Sequence, residues 1–153
     1  MCLNNAKKIE ALAWKSEGGK MVPMWYDTTC YKVFKVVREH KLFNRLQSPI
    51  CCNMNWRKHK KYATGHKEPD IYGNEVWGGA YHVLVNKEDA ITFCDNLTAR
   101  YGDCGDRYVV CRCTVPADTN FIYDGDTYIG VKGKVFGRAV EKLIVNEVVH
   151  VGV

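Results

Sequence analysis

The sequence lacks a long apolar run and lacks an export signal. No stretch approaches the roughly 18 consecutive apolar residues that a membrane span needs. The first five residues, Met-Cys-Leu-Asn-Asn, do not show the basic and then apolar order of a signal peptide. We therefore expect a cytoplasmic protein that does not contact a membrane.

The local signatures of common enzyme classes are also missing. The chain has no Walker loop and no Gly-x-Gly-x-x-Gly, His-Glu-x-x-His or Gly-x-Ser-x-Gly motif. No enzyme class can therefore be assigned from a short motif, and function has to be argued from the distribution of residues.

The composition is that of an ordinary globular protein. Of the 153 residues, 46% are hydrophobic and 25% are charged, which is enough to build a core. This length fits one domain over residues 1–153 and excludes a disordered or collagen-like chain.

The eight cysteines are expected to be free and reduced. Disulfide frameworks belong to small secreted chains that cannot build a core, and neither condition applies here. Alternation within residues 108–115 places Cys111 and Cys113 on one face with two valines, which predicts that both thiols are buried. A zinc site from Cys51, Cys52, His59 and His66 is an alternative, but no ligand pair has the usual spacing of two to four residues. We therefore expect no metal.

Periodicity predicts an α+β fold with a mainly antiparallel sheet and two principal helices. One helix is expected over residues 5–15, ended by Gly18-Gly19, and a second between the N-cap Asn86 and Gly102. The expected strands, rich in β-branched and aromatic residues, are residues 31–37, 81–85, 108–115 and 142–151.

Charge is unevenly distributed along the chain, although the formal net charge is only +5. Residues 31–67 contain ten Lys or Arg against one acid, whereas residues 68–127 contain eleven acids against four bases. The densest basic run has an aromatic residue at each end and comprises Trp56, Arg57, Lys58, His59, Lys60, Lys61 and Tyr62. Such a run can attract an acidic protein surface by electrostatic steering, which is the partner we favour. Nucleic acid is the alternative, because clustered cations bind phosphates and aromatic rings stack on bases.

Several short motifs together resemble an uncharacterised family of small hypothetical proteins from gut bacteria and their phages. In chain order they are Met1-Cys2-Leu3, Tyr31-Lys32-Val33, Ser48-Pro49, Gly79-Ala80-Tyr81-His82 with Ala90, Val110-Cys111 and Lys142-Leu143-Ile144-Val145. The resemblance spans nearly the whole chain and implies no activity or catalytic residue.

The order of the elements also resembles the ADP-ribosyltransferase-like fold. The corresponding segments are residues 31–37, 79–85, 108–115 and 141–149. This resemblance implies an NAD site with Tyr81 beside the nicotinamide, His82 in the same cleft, and Glu141 orienting the attacking group. Lys32 stands where such enzymes present Arg or His, and lysine lacks arginine's planar two-point grip on phosphate or ribose.

Three functional hypotheses result. The first is a non-catalytic, cofactor-free binding protein, acting as a counter-defence or host-modulating factor through Trp56, Arg57, Lys58, Lys60, Lys61 and Tyr62. The second is an ADP-ribosyltransferase-like domain that uses or binds NAD through Tyr81, His82 and Glu141. The third is a nucleic-acid-binding protein.

Overall fold

A computed structural model describes residues 3–40, 43–48, 55–63, 75–76, 80–130 and 133–152. Within these ranges the chain forms one α-helix, a short 3-10 turn and thirteen strands. In chain order they are β1 (Leu3–Lys8), β2 (Ala13–Glu17), β3 (Lys20–Met24), β4 (Thr28–His40), β5 (Phe43–Gln47), β6 (Asn55–Trp56), β7 (Lys61–Ala63), β8 (Glu75–Val76), β9 (Tyr81–Leu84), α1 (Lys87–Tyr101), the 3-10 turn (Gly102–Cys104), β10 (Arg107–Val115), β11 (Ile122–Tyr128), β12 (Lys134–Val140) and β13 (Lys142–Val151).

Eleven of these strands form one antiparallel sheet. Its main strand order is β7-β13-β10-β4-β9-β12-β11-β1-β8. In a branch from this order, β5 pairs with β4 and β6 pairs with β5. The longest ladder joins β10 to β4, and β10 also pairs with β13 on its other side, so β10 is an interior strand of the sheet. The predicted α+β class with a mainly antiparallel sheet is therefore confirmed.

The second predicted helix is confirmed, and its boundaries match the expected ones. Asn86 is the N-cap of α1, and Gly102 is its C-cap. Its buried stripe consists of Ala90, Phe93, Cys94 and Leu97, which follow the helical spacing of apolar residues in the sequence.

The helix predicted over residues 5–15 is wrong, so the described residues hold one principal helix instead of two. These residues enter β1 and β2, and Gly18-Gly19 forms the turn between β2 and β3. Both glycines have positive φ, 58° and 79°, as a two-residue hairpin turn requires. The glycine pair therefore reverses the chain direction within a hairpin instead of ending a helix.

The strands β4 and β10 are buried on both faces. One face, with Val33 and Val110, packs against α1, whereas the other, with Phe34, Cys111 and Cys113, packs against Trp25, Trp56 and Leu143. Cys111 and Cys113 are fully buried, as alternation predicted. Among the described cysteines, Cys30, Cys94, Cys104, Cys111 and Cys113 are all free thiols.

A pair of glycines on β11 and β12 lets β1 pack closely against these two strands. Gly125 and Gly137 are direct partners on β11 and β12. A Cβ on Gly125 would lie 2.5 Å from the carbonyl oxygen of Asn4, and one on Gly137 would lie 2.8 Å from Cδ1 of Leu3. The side chain of Leu3, which is 1% exposed, thus occupies space that any other residue at these positions would fill.

Among the described residues, the helical segments do not combine the length and apolar character needed to cross a membrane.

Candidate functional site

The basic run forms a tight, exposed turn between β6 and β7. We call residues 57–60 the basic turn. Its side chains, Arg57, Lys58, His59 and Lys60, are all exposed. The turn is attached to β13 because the backbone N–H of His59 donates to the carbonyl oxygen of Val145 at 2.7 Å. Its base is closed by a 2.8 Å hydrogen bond from the backbone N–H of Arg57 to the phenol oxygen of Tyr62.

The two aromatic residues that flank the turn face inward to different extents. Trp56 is only 4% exposed, and its ring contacts Phe34, Tyr62 and Tyr81 at centroid distances of 5.7, 4.7 and 4.8 Å. The indole therefore supports the turn from within the core and offers no face to a partner, which corrects its expected place at the surface. Tyr62 is half-buried, and the ammonium of Lys60 lies 5.1 Å from its ring centroid.

Lys61 differs from the other cations because it has an acidic partner. Its ammonium lies 2.9 Å from a carboxylate oxygen of Asp118. The ammonium of Lys142 lies 3.3 Å from the same oxygen. Burial raises the pKa of Asp118, but the hydrogen bonds from Lys61 and Lys142 outweigh burial and leave that pKa below its usual value. The structure shows no described acidic side chain paired with Arg57, Lys58 or Lys60 in this way. These three residues carry the uncompensated positive charge of the turn.

The second set of predicted residues does not face one cleft: Tyr81 and His82 lie on β9, and Glu141 lies at the bend between β12 and β13. On β9, Tyr81 is opposite Val140 and His82 is opposite Ala139, so the two side chains lie on opposite faces of the sheet. Tyr81 packs beside Trp56, in the core cluster that also contains Val140.

Glu141 is 8% exposed, and its carboxylate is engaged in hydrogen bonds within the protein. It accepts hydrogen bonds from the backbone N–H and the side-chain amide of Asn120 at 2.9, 3.0 and 2.8 Å. These bonds fix the connection between β10 and β11.

Lys32 is a buried charged residue whose burial the sequence did not reveal. It is 8% exposed, and its ammonium donates a 2.8 Å hydrogen bond to the carbonyl oxygen of His82. This bond joins β4 to β9, the strands that carry Lys32 and the Tyr81-His82 pair. The β-branched and aromatic composition of residues 31–37 predicted the strand but could not show that its second residue faces the core.

A groove of about 470 Å³ lies at the C-terminal end of α1. Its charged and aromatic lining includes Lys35, Arg100, Tyr101, Asp106 and Tyr108. Lys35 and Asp106 form an ion pair at 3.1 Å. Burial, reinforced by Asp106, raises the pKa of Tyr108 to about 12, so its hydroxyl stays protonated at neutral pH.

Sequence reasoning also missed a cluster formed by Cys94, Asp95 and His150. Their potential ligand atoms all lie within 4.8 Å of one another. The zinc alternative considered from the sequence used other residues: His59 belongs to the basic turn, whereas Cys51, Cys52 and His66 lie outside the described residues. Only the packing of β13 beside α1 brings His150 to Cys94 and Asp95.

Comparison of the chain with family models, curated proteins and solved structures found no match.

Proposed function

We propose that this protein binds an acidic surface of another protein through Arg57, Lys58 and Lys60. The observation that carries this proposal is the exposure of three cations in one short turn, without an acidic partner among the described residues. Uncompensated surface charges of one sign attract a complementary surface and accelerate its association.

The attachment of the turn to the core supports a role in binding. Hydrogen bonds to Tyr62 and Val145 hold the backbone at Arg57 and at His59, and the buried Trp56 precedes the turn. A segment that is already ordered loses less conformational entropy when it binds. The cations are thus displayed in a defined arrangement.

The inward orientation of Trp56 favours a protein partner over single-stranded nucleic acid. Binding of single strands combines a basic groove with exposed aromatic rings on which bases stack. At this turn, Trp56 is in the core and the phenol of Tyr62 is engaged by Arg57. Charge attraction remains available here, but neither of the two flanking rings is fully exposed for stacking.

On the basis of the resemblance to proteins of gut bacteria and their phages, we further propose that the partner is a host protein and that binding modulates its activity. This role requires no cofactor and no catalytic residue.

Charge reversal tests the proposal directly. The double variant Lys58→Glu/Lys60→Glu is compared with Lys8→Glu/Lys20→Glu, which changes the net charge equally at exposed lysines elsewhere. Binding to a fluorescent polyglutamate peptide and to a labelled single-stranded oligonucleotide is measured by anisotropy over a range of salt concentrations. All four positions are exposed, so each substitution should change the free energy of unfolding by about 0.5 kcal/mol or less. The first variant also loses the contact of Lys60 with the Tyr62 ring, which is worth about 0.5–1 kcal/mol.

We expect the first variant to lose about tenfold or more in polyglutamate affinity and the second to lose much less. Equal losses in the two variants would contradict the assignment of the binding surface. Tighter binding to the oligonucleotide, with a steep salt dependence, would instead favour nucleic acid. A rise in melting temperature with NAD or ADP-ribose would favour the ADP-ribosyltransferase-like alternative, since a ligand stabilises the state that it binds.

A further inference from the structure

Three side chains with metal-binding chemistry meet where the end of β13 lies beside α1. Cys94 and Asp95 are consecutive on the helix, and His150 projects from the strand. Nε2 of His150 lies 2.8 Å from Oδ1 of Asp95. The Sγ, imidazole and carboxylate atoms of the three residues lie within 4.8 Å of one another.

We propose that Cys94, Asp95 and His150 form a binding site for a divalent transition metal of the zinc class. Zinc binds sulfur at about 2.3 Å and nitrogen or oxygen at about 2.0–2.2 Å, so donors around one tetrahedral ion are separated by roughly 3.3–3.8 Å. The observed separations require side-chain adjustments of about 1 Å or less to meet this geometry.

The types of donor determine which metals are favoured. A thiolate and an imidazole favour zinc, cobalt or a similar ion, whereas magnesium and calcium prefer sites made entirely of oxygen. Three protein ligands leave a fourth position on a tetrahedral ion. Because the side chains of Asp95 and His150 are 34% and 24% exposed while Cys94 is buried, this position would face solvent.

The backbone around the cluster is held firmly. His150 is paired with Val110 on β10, and the backbone N–H of Gly152 donates to the carbonyl oxygen of Tyr108 at 2.9 Å. A Cβ on Gly152 would lie 2.0 Å from Oγ1 of Thr98 and 3.2 Å from Sγ of Cys94. The strand therefore approaches the helix as closely as glycine permits, which limits how far the three donors can separate.

Cys94 is fully buried, so its sulfur lies on the core side of the cluster, whereas Asp95 and His150 reach solvent. Zinc-class ions bind cysteine as the thiolate, and coordination deprotonates the thiol outright.

The site is tested with Zn²⁺ by calorimetry and with Co²⁺ by near-ultraviolet spectroscopy, which detects the thiolate-to-cobalt charge-transfer band. The variants His150→Gln and Asp95→Asn change partly exposed residues, so they test the site even if a change at the buried Cys94 impairs folding. Cys104→Ser and His59→Gln are matched controls, because each removes an exposed residue of the same type outside the cluster.

We expect wild type and both controls to bind one ion and to show the thiolate band. The variants His150→Gln and Asp95→Asn should bind at least about tenfold more weakly, the loss already seen when an outer-shell partner is removed. Absence of the band in wild type, or binding that neither variant weakens, would overturn the proposal.

Discussion

The phenol oxygen of Tyr62 accepts a hydrogen bond from the backbone N–H of Arg57 at 2.8 Å and so closes the base of the basic turn. The bond links the exposed end of the turn to a ring that packs on Trp56. The packing of the core therefore helps to fix the position of the cations in the basic turn.

Replacement Tyr62→Phe should loosen the turn without removing a ring from the core. Loss of one hydrogen bond is expected to lower the free energy of unfolding by about 0.5–1.5 kcal/mol, measured by urea denaturation. Affinity for polyglutamate should fall as well, because the cations become less ordered before binding. The control Tyr26→Phe, at a site that is 79% exposed, should change neither quantity. Unchanged affinity in Tyr62→Phe would show that order in the turn is unimportant for binding.

The two tryptophans Trp56 and Trp14 should respond very differently to truncation. Trp56 is 4% exposed and packs against three aromatic rings, so Trp56→Ala is expected to cost about 3–5 kcal/mol of unfolding free energy. Trp14, on the β2–β3 hairpin, is 55% exposed, and Trp14→Ala should stay within about 0.5 kcal/mol of wild type. Denaturant titration of both variants measures the difference, and similar costs would contradict the placement of Trp56 in the core.

Acid should weaken the link between Asp118 and its two lysines. The pKa of Asp118 is lower in the folded protein than in the unfolded chain, so its stabilising effect is present above the unfolded value and disappears as the pH falls through the folded value. The Asp118→Asn variant should therefore be less stable than wild type near neutral pH. This difference should shrink as the pH falls below about 3.9, the ordinary aspartate pKa. Melting temperatures of both proteins from pH 2 to pH 7 provide the measurement, and a constant difference across this range would argue against the ion pairs.

Substitution of Gly125 should displace β1. In Gly125→Ala the new Cβ meets the backbone oxygen of Asn4 at 2.5 Å, and we expect a loss of about 1–3 kcal/mol. Amide hydrogen exchange should increase in residues 3–8 before it increases in α1. The control Gly102→Ala has ordinary helical φ and meets only Cγ2 of Thr98 at 3.5 Å, so it should fold normally. Protection of β1 in Gly125→Ala equal to that in wild type would contradict the close approach.

The free thiols should react with alkylating reagents in the order of their exposure and pKa. Cys104 is exposed, whereas burial raises the pKa of Cys111 to about 12 and leaves its sulfur inaccessible. Brief treatment of the native protein with iodoacetamide, followed by peptide mass spectrometry, should find label on Cys104 and almost none on Cys111. Comparable labelling of the two cysteines would show that the core opens easily.

Sequence patterns predicted local features of the fold well. Alternation placed Cys111 and Cys113 in the core, and the capping residues Asn86 and Gly102 located α1, because both signals depend on near neighbours. The interpretation of residues 5–15 failed because the partner of β1 lies more than a hundred residues away on β11, and local spacing carries no information about such pairing.

The candidate sites show the same limitation. The cationic run was visible in the sequence, but the inward rotation of Trp56 and the pairing of Lys61 with Asp118 depend on tertiary contacts. In the Cys94, Asp95 and His150 cluster, Asp95 and His150 are 55 positions apart in the sequence, so no spacing rule could have identified it.

The position of β1 in the sheet has a consequence for synthesis of the chain. Asn4 pairs with Asp126 on one side of β1 and with Glu75 on the other. During translation, residues 3–8 are made long before β11 and have no complete binding partner until β11 follows. Pairing at such long sequence separation slows folding, because the ends of a large loop must meet before any contact stabilises them. Strand β1 is thus synthesised well before it can be inserted between its two neighbours, and a nascent chain stalled before residue 126 would leave it without its β11 partner.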